Sequence, residues 1–302
     1  MLFLLLFHVL FALTLGFFAD VLVITPWFII FNQLVRFLLP LVIWLLFKKE
    51  KLITHLPKMR MGKINLILIL FLSIFLQPVM MLLSGISSLF FPNQVSEMVS
   101  GMMSQPFWLL ILAFAVTPAI CEEIIFRGYI QSAYRNRPIL TTALINGFFF
   151  AVIHLSFQQF LYVFVMGVIF AYIVHYTRSI IAGILMHFVM NASQLAFSWW
   201  VNQNIVPPPE DYTFSFIEQL SALMGPGLVA LLATPCAVIL FKSFLSHNRQ
   251  RNIEYDMQTL IDEQPKTTAE LIKEPPKPSP LKSIDPFFIG VVVLYVVLMI
   301  LF

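Results

Sequence analysis

Charge is scarce in this chain. Asp, Glu, Lys and Arg make up 11% of its 302 residues, against about 25% in a soluble globular protein. That excludes a soluble domain with an anchor attached. Cysteine is nearly absent: Cys121 and Cys236 both lie in apolar segments, which argues against a disulfide framework or a cysteine-based metal site. His-Glu-x-x-His does not occur, so a zincin-type site is excluded as the simple reading. The apolar stretch 1–17 has no positive leading region and no convincing small-x-small cleavage site. It reads as a first membrane span rather than a signal peptide. The formal net charge of +3 reflects topological markers, and no nucleic-acid partner is expected.

What is present is hydrophobicity, at 60% of the residues. Runs long enough to cross a bilayer recur along almost the whole length, and in lipid the backbone must satisfy itself inside each helix. The expected fold is all-α, a polytopic transmembrane helical bundle of about eight or nine spans. The spans are placed at 2–24, 27–47, 64–90, 106–135, 138–156, 158–176, 179–200, 219–245 and 286–302. Pro118 predicts a kink in the fourth. Lys and Arg cluster in alternate loops: 48–63, 135–137, 178 and 242–282. The intervening loops, around 25, 91–105, 157 and 201–218, contain none. By the positive-inside rule the N-terminus is cytoplasmic and the protein is a multi-pass cell-membrane protein.

Against this background Glu122-Glu123-Ile-Ile-Phe-Arg127 stands out. Ionisable groups at membrane depth are costly and mark working sites. Glu123 and Arg127 are four apart, acid first, the favourable order for a helical ion pair. Glu122 points about 100° away around the helix and has no ionic partner in its own segment, which suits it to proton transfer. His154 follows on a later segment. His187 and Asn191 are four apart on one face of another. Such a set can polarise a water directly, with Glu122 as base, or through a metal held by Glu122, His154 and His187, zinc or another divalent ion. His187 and Asn191 can also act as oxyanion donors. Gln158, Gln159 and Gln194 are candidates for the border of the same cavity, and His8 reads as a helix–helix hydrogen bond or an interfacial residue.

Straight helices pose a difficulty. At about 1.5 Å per residue, His187 lies about 13 Å from the level of Arg178, Glu122 about 20 Å from Arg135, and His154 about 25 Å from Arg137. A kink at Pro118, a break after Pro138 or tilted helices must bring them together. The cavity is expected to open laterally or towards the cytoplasm.

These residues resemble the pattern of the CPBP family of intramembrane proteases, also known as the CAAX protease and bacteriocin-processing (Abi) family. The pattern is Glu-Glu-x-x-x-Arg, then Phe-x-x-x-His, then His-x-x-x-Asn or Asp. Here it stands as Glu122 to Arg127, Phe150 to His154, and His187 to Asn191. The resemblance covers roughly 106–200. It implies a peptidase in which Glu122 and His154 activate the attacking water, His187 and Asn191 stabilise the reacting centre, and Glu123 and Arg127 support the site. The implied substrate is a membrane-embedded or membrane-associated polypeptide. The resemblance leaves a metal and a metal-free mechanism both open. The expected organisation is N-terminal helices and a basic loop over 1–105, a catalytic core over 106–200, an outer loop and further span over 201–245, a flexible Pro-rich cytoplasmic linker over 246–285, and a C-terminal helix over 286–302. A non-catalytic immunity or scaffold protein of the same fold, and a proton-coupled transporter, are the competing readings.

Overall fold

A computed structural model of the chain describes residues 24–205 and 214–262, with Phe3, Leu4, Phe7, His8, Leu10, Phe11 and Thr14 before them. The described residues form helices only, apart from an isolated bridge between Lys58 and Ser179. We number them α1 (Pro26–Lys48), α2 (Lys63–Ser88), α3 (Gln94–Ser100), α4 (Phe107–Ala133), α5 (Ile139–Val152), α6 (Phe157–Thr177), α7 (Ile180–Asn204), α8 (Phe216–Ala222) and α9 (Met224–Asp262). Among the described residues, six stretches are long and apolar enough to cross a membrane: α1, α2, α4, α6, α7 and Phe216–Gln258. The protein is thus an all-α, polytopic membrane-spanning bundle.

Two expectations change. The segment expected as a span at 138–156 contains a helix of 14 residues, α5, about 21 Å long. Pro138 caps its start, and at its far end the chain turns inside the bundle instead of continuing. Residues 246–262, expected as the beginning of a flexible linker, continue the helix α9. That extension is held: Arg251 Nη2 donates to Thr177 O at 2.6 Å and Asn252 Nδ2 to Tyr176 O at 3.0 Å. The span expected at 286–302 and most of 2–24 lie outside the described residues.

Polar contacts close the face that carries the basic connections. Met59 N donates to Arg178 O at 2.8 Å and Ile180 N to Pro57 O at 3.1 Å, so the loop after α1 is stitched to the α6–α7 turn. Arg178 adds a bidentate pair with Asp256 on α9 at 2.6 and 2.8 Å, and that carboxylate raises the guanidinium above its ordinary value.

Two helix contacts depend on glycine. A Cβ on Gly167 would lie 2.7 Å from Gly147 Cα, so α5 and α6 cross with backbones nearly touching, as small residues permit in membranes. A Cβ on Gly183 would lie 2.6 Å from Glu123 Oε2. Only a missing side chain lets α7 close on that carboxylate.

Candidate active site

α4 supplies the acids, and its helix is irregular where they sit. Wide π turns occupy Leu112–Val116 and Ile124–Ile130, on either side of the stretch Thr117–Glu123. Such turns occur often at functional sites. Pro118 explains the first. It has no N–H to offer the carbonyl four residues back, Phe114 O, and its ring pushes that carbonyl away. Asn191 Nδ2 from α7 donates to Phe114 O instead, at 3.2 Å. The proline therefore leaves an acceptor that anchors Asn191.

Glu123 and Arg127 form the expected pair, with Arg127 Nη1 2.8 Å from Glu123 Oε1 and both side chains fully buried. Arg127 Nη2 donates to Gly167 O at 3.1 Å. Its guanidinium lies 4.3 Å from the centre of the Phe150 ring and 5.2 Å from that of Phe170, so cation–π attraction replaces part of the lost hydration. His187 Nδ1 donates to the same Glu123 oxygen at 3.1 Å, and His187 Nε2 stands 4.0 Å from Glu122 Oε2. The imidazole thus bridges the two adjacent acids. Glu122 has looser company. Gln33 Nε2 of α1 donates to its Oε1 at 3.3 Å.

His154 reaches the site through the end of α5. The helix stops at Val152, and Leu155 takes a left-handed conformation with φ 47°. A non-glycine residue there is strained and marks a constrained turn. His154 Nδ1 donates to Phe150 O at 2.7 Å, folding the ring back along its own helix. Phe150 packs edge-on against both histidines, with centroids 5.2 Å from His154 and 5.7 Å from His187. The difficulty with straight helices is met by this turn and by the irregular α4.

Glu122, His154, His187 and Asn191 all line one cavity of about 720 Å³. Glu123 and Arg127 lie behind it. Gln159 and Gln194 line it as well. Gln158 does not, being buried against Ser84 and Ser88. The cavity runs from Glu122 to Asn93, Ser96 and Ser100, on the side of the connections without Lys or Arg. The basic face, by contrast, is closed by hydrogen bonds.

Two residues on α1 were missed at the level of sequence, Gln33 and Arg36. Arg36 Nη2 donates to Ile153 O at 3.1 Å, and Arg36 Nε donates to His8 Nδ1 at 3.0 Å. His8 Nε2 donates to the same Ile153 O at 2.7 Å. Arg36 and His8 therefore hold the turn that carries His154. The signal was present, an arginine inside an otherwise apolar span.

His154 and His187 each tie Nδ1 to an oxygen, the second hydrogen bond that metal-binding histidines commonly make. Among the described residues no three His, Cys, Asp or Glu side chains come together closely enough to share an ion.

Residues 104–193 match the family model described as type II CAAX prenyl endopeptidase Rce1-like. No curated protein and no solved structure matches the chain.

Proposed function

From the premise that residues 104–193 are an Rce1-like domain of the CPBP protease type, we propose that the protein is an intramembrane endopeptidase acting on membrane-associated polypeptides. The observation that carries this reading is the meeting of Glu122, His154, His187 and Asn191 around one cavity, with a locked ion pair behind them.

The side chains divide the work. His154 donates from Nδ1 to a carbonyl, so its neutral Nε2 carries a lone pair. Glu122 and His154 Nε2 are two acceptors for one water. As the water oxygen bonds to the peptide carbonyl carbon, Glu122 takes its proton, and His154 orients the remaining O–H. The carbonyl oxygen becomes an oxyanion, met by the free N–H of the Asn191 amide beside His187. Glu122 then gives its proton to the amide nitrogen as the C–N bond breaks, leaving a carboxylic acid and an amine. Glu123 and Arg127 fix His187 and touch no reacting atom.

A second reading of the same site is a divalent metal, zinc in particular, for which Glu122, His154 and His187 would have to draw closer together than they stand. The tethered Nδ1 atoms favour it. The protein sits in the cell membrane with its basic connections and N-terminus on the cytoplasmic side.

The test is cleavage of an internally quenched peptide library by the purified full chain and by Glu122→Gln, each with and without a chelator. The wild type should cleave, and the variant should lose about 10²–10⁴-fold. Loss with chelator assigns the metal route. A Glu122→Gln protein that cleaves at the wild-type rate overturns the assignment and leaves a scaffold or transporter.

A further inference from the structure

Two helix faces line the cavity in the same register. On α2 they are Gln77, Met81, Ser84 and Ser88; on α7 they are His187, Asn191, Gln194 and Ser198. Each follows i, i+4, i+7, i+11, the repeat of a single helix face. The two helices run in the same direction, because both start at the stitched basic cap. They are tied side by side by Gln77, whose Nε2 donates to Met190 O at 2.9 Å and to Ser193 Oγ at 2.7 Å. Two parallel walls therefore rise from the level of His187 towards the face without Lys or Arg. Eleven residues of helix rise about 16 Å, the length of about five residues of extended chain.

The chemistry of these walls is uniform. Of the described residues around the cavity, Glu122 is the one acid, and none is Lys or Arg. The polar groups are otherwise amides, hydroxyls and the two histidines. Gln159 and Gln194 make no side-chain hydrogen bond to a described residue. An amide left unpaired at membrane depth is unfavourable, so both face water or a ligand.

We propose that this cleft takes an internal, uncharged stretch of polypeptide, extended along α2 and α7 and entering from the face opposite the basic connections. The inference rests on the protease reading of the site. Neutral amides and hydroxyls match the N–H and C=O groups of an extended backbone, which demand partners when buried. A charged side chain finds no counter-ion on either wall and loses its hydration. A free C-terminal carboxylate finds no Lys or Arg to receive it and meets Glu122 at the cleft floor. Internal segments are therefore favoured over chain ends.

The test separates binding from cleavage by working in the Glu122→Gln protein. Cysteines are introduced singly as Gln194→Cys and Ser198→Cys in the cleft, and as Leu231→Cys on the exposed face of α9, where Leu231 is 70% exposed. The full chain is placed in vesicles whose orientation is read from trypsin access to the basic connections. A membrane-impermeant methanethiosulfonate is added to one side at a time, and each labelled thiol is identified by peptide mass spectrometry. Both cleft cysteines should react at least tenfold faster from the face opposite the basic connections, and the Leu231 cysteine should stay slow from both. A terminally blocked nonapeptide of Ala, Ser, Gln and Leu should slow labelling severalfold. The same peptide with a central Lys or Asp, or with a free C-terminus, should not. Faster reaction from the basic side, no reaction at either cleft cysteine, no protection by the neutral peptide, or equal protection by all peptides each overturns the proposal. Labelling and protection as expected, in a protein whose wild type cleaves nothing, would sink the protease reading alone.

Discussion

Glu122 and Glu123 are neighbours in sequence and opposites in surroundings. Glu123 is fully buried and holds Arg127 at 2.8 Å and His187 at 3.1 Å. Glu122 keeps one long bond from Gln33, at 3.3 Å, and faces the cavity. The two should separate stability from activity. Glu123→Gln leaves Arg127 buried without its counter-charge, a loss of about 3–5 kcal/mol, visible as a lower denaturation temperature. Glu122→Gln should keep stability to within about 1 kcal/mol, the net worth of one hydrogen bond, while cleavage disappears. The reverse order of effects would mean that the roles are exchanged. Gly183→Ala probes the same carboxylate from α7. Its new Cβ would stand 2.6 Å from Glu123 Oε2. Displacement there should cost about 1–3 kcal/mol, as overpacking does, and an unchanged denaturation temperature would show that α7 does not press on Glu123.

At the scale of the helix, α4 places its acids through a defect. Pro118 gives up Phe114 O, and Asn191 takes it at 3.2 Å. In Pro118→Ala the restored N–H can reclaim that carbonyl and tighten the first π turn. Asn191 then loses its anchor and Glu122 shifts around the helix. Helix stability should hold or rise, while the rate of cleavage falls about 10²-fold, the loss that a displacement of about 1 Å brings. A variant with unchanged rate would make the defect incidental. Sequence shows this element only partly. The pairs Glu123 with Arg127 and His187 with Asn191 are legible because helical spacing alone puts each pair on one face. The meeting of Glu122 with Gln33, 89 residues away, is not, because it depends on how two helices cross. Nor is the turn at Leu155 legible. Left-handed turns are usually announced by Gly or Asn, and here a leucine is held in one by Arg36 and His8 grasping the adjacent Ile153 carbonyl.

At the scale of the whole molecule, one wall of the cleft depends on a helix that contributes none of the described residues lining the cavity. α9 packs along α2, and at its end nearest the basic face Asn65 and Asn248 exchange hydrogen bonds at 2.9 and 2.7 Å, both fully buried. The pair is a register pin. The two amides meet at a single relative height of the helices, and any slide leaves Asn65 unpaired and Asn248 with only its bond to Phe244 O, at 2.9 Å. Asn65→Leu or Asn248→Leu alone should cost about 1–3 kcal/mol, because each leaves a buried polar atom of the partner amide without its cross-helix bond. The double variant should recover most of that loss, since two apolar groups replace two satisfied ones. The coupling should come out near 0.6–2 kcal/mol, about the range for polar pairs in membranes. If the pin also sets the height of Gln77, Ser84 and Ser88 against α7, both single variants should raise KM for a five-residue extended substrate and leave kcat nearly unchanged. Glu122 and Glu123 sit on α4, outside that contact, so a loss confined to kcat would show that α9 acts on the acids and not on the wall.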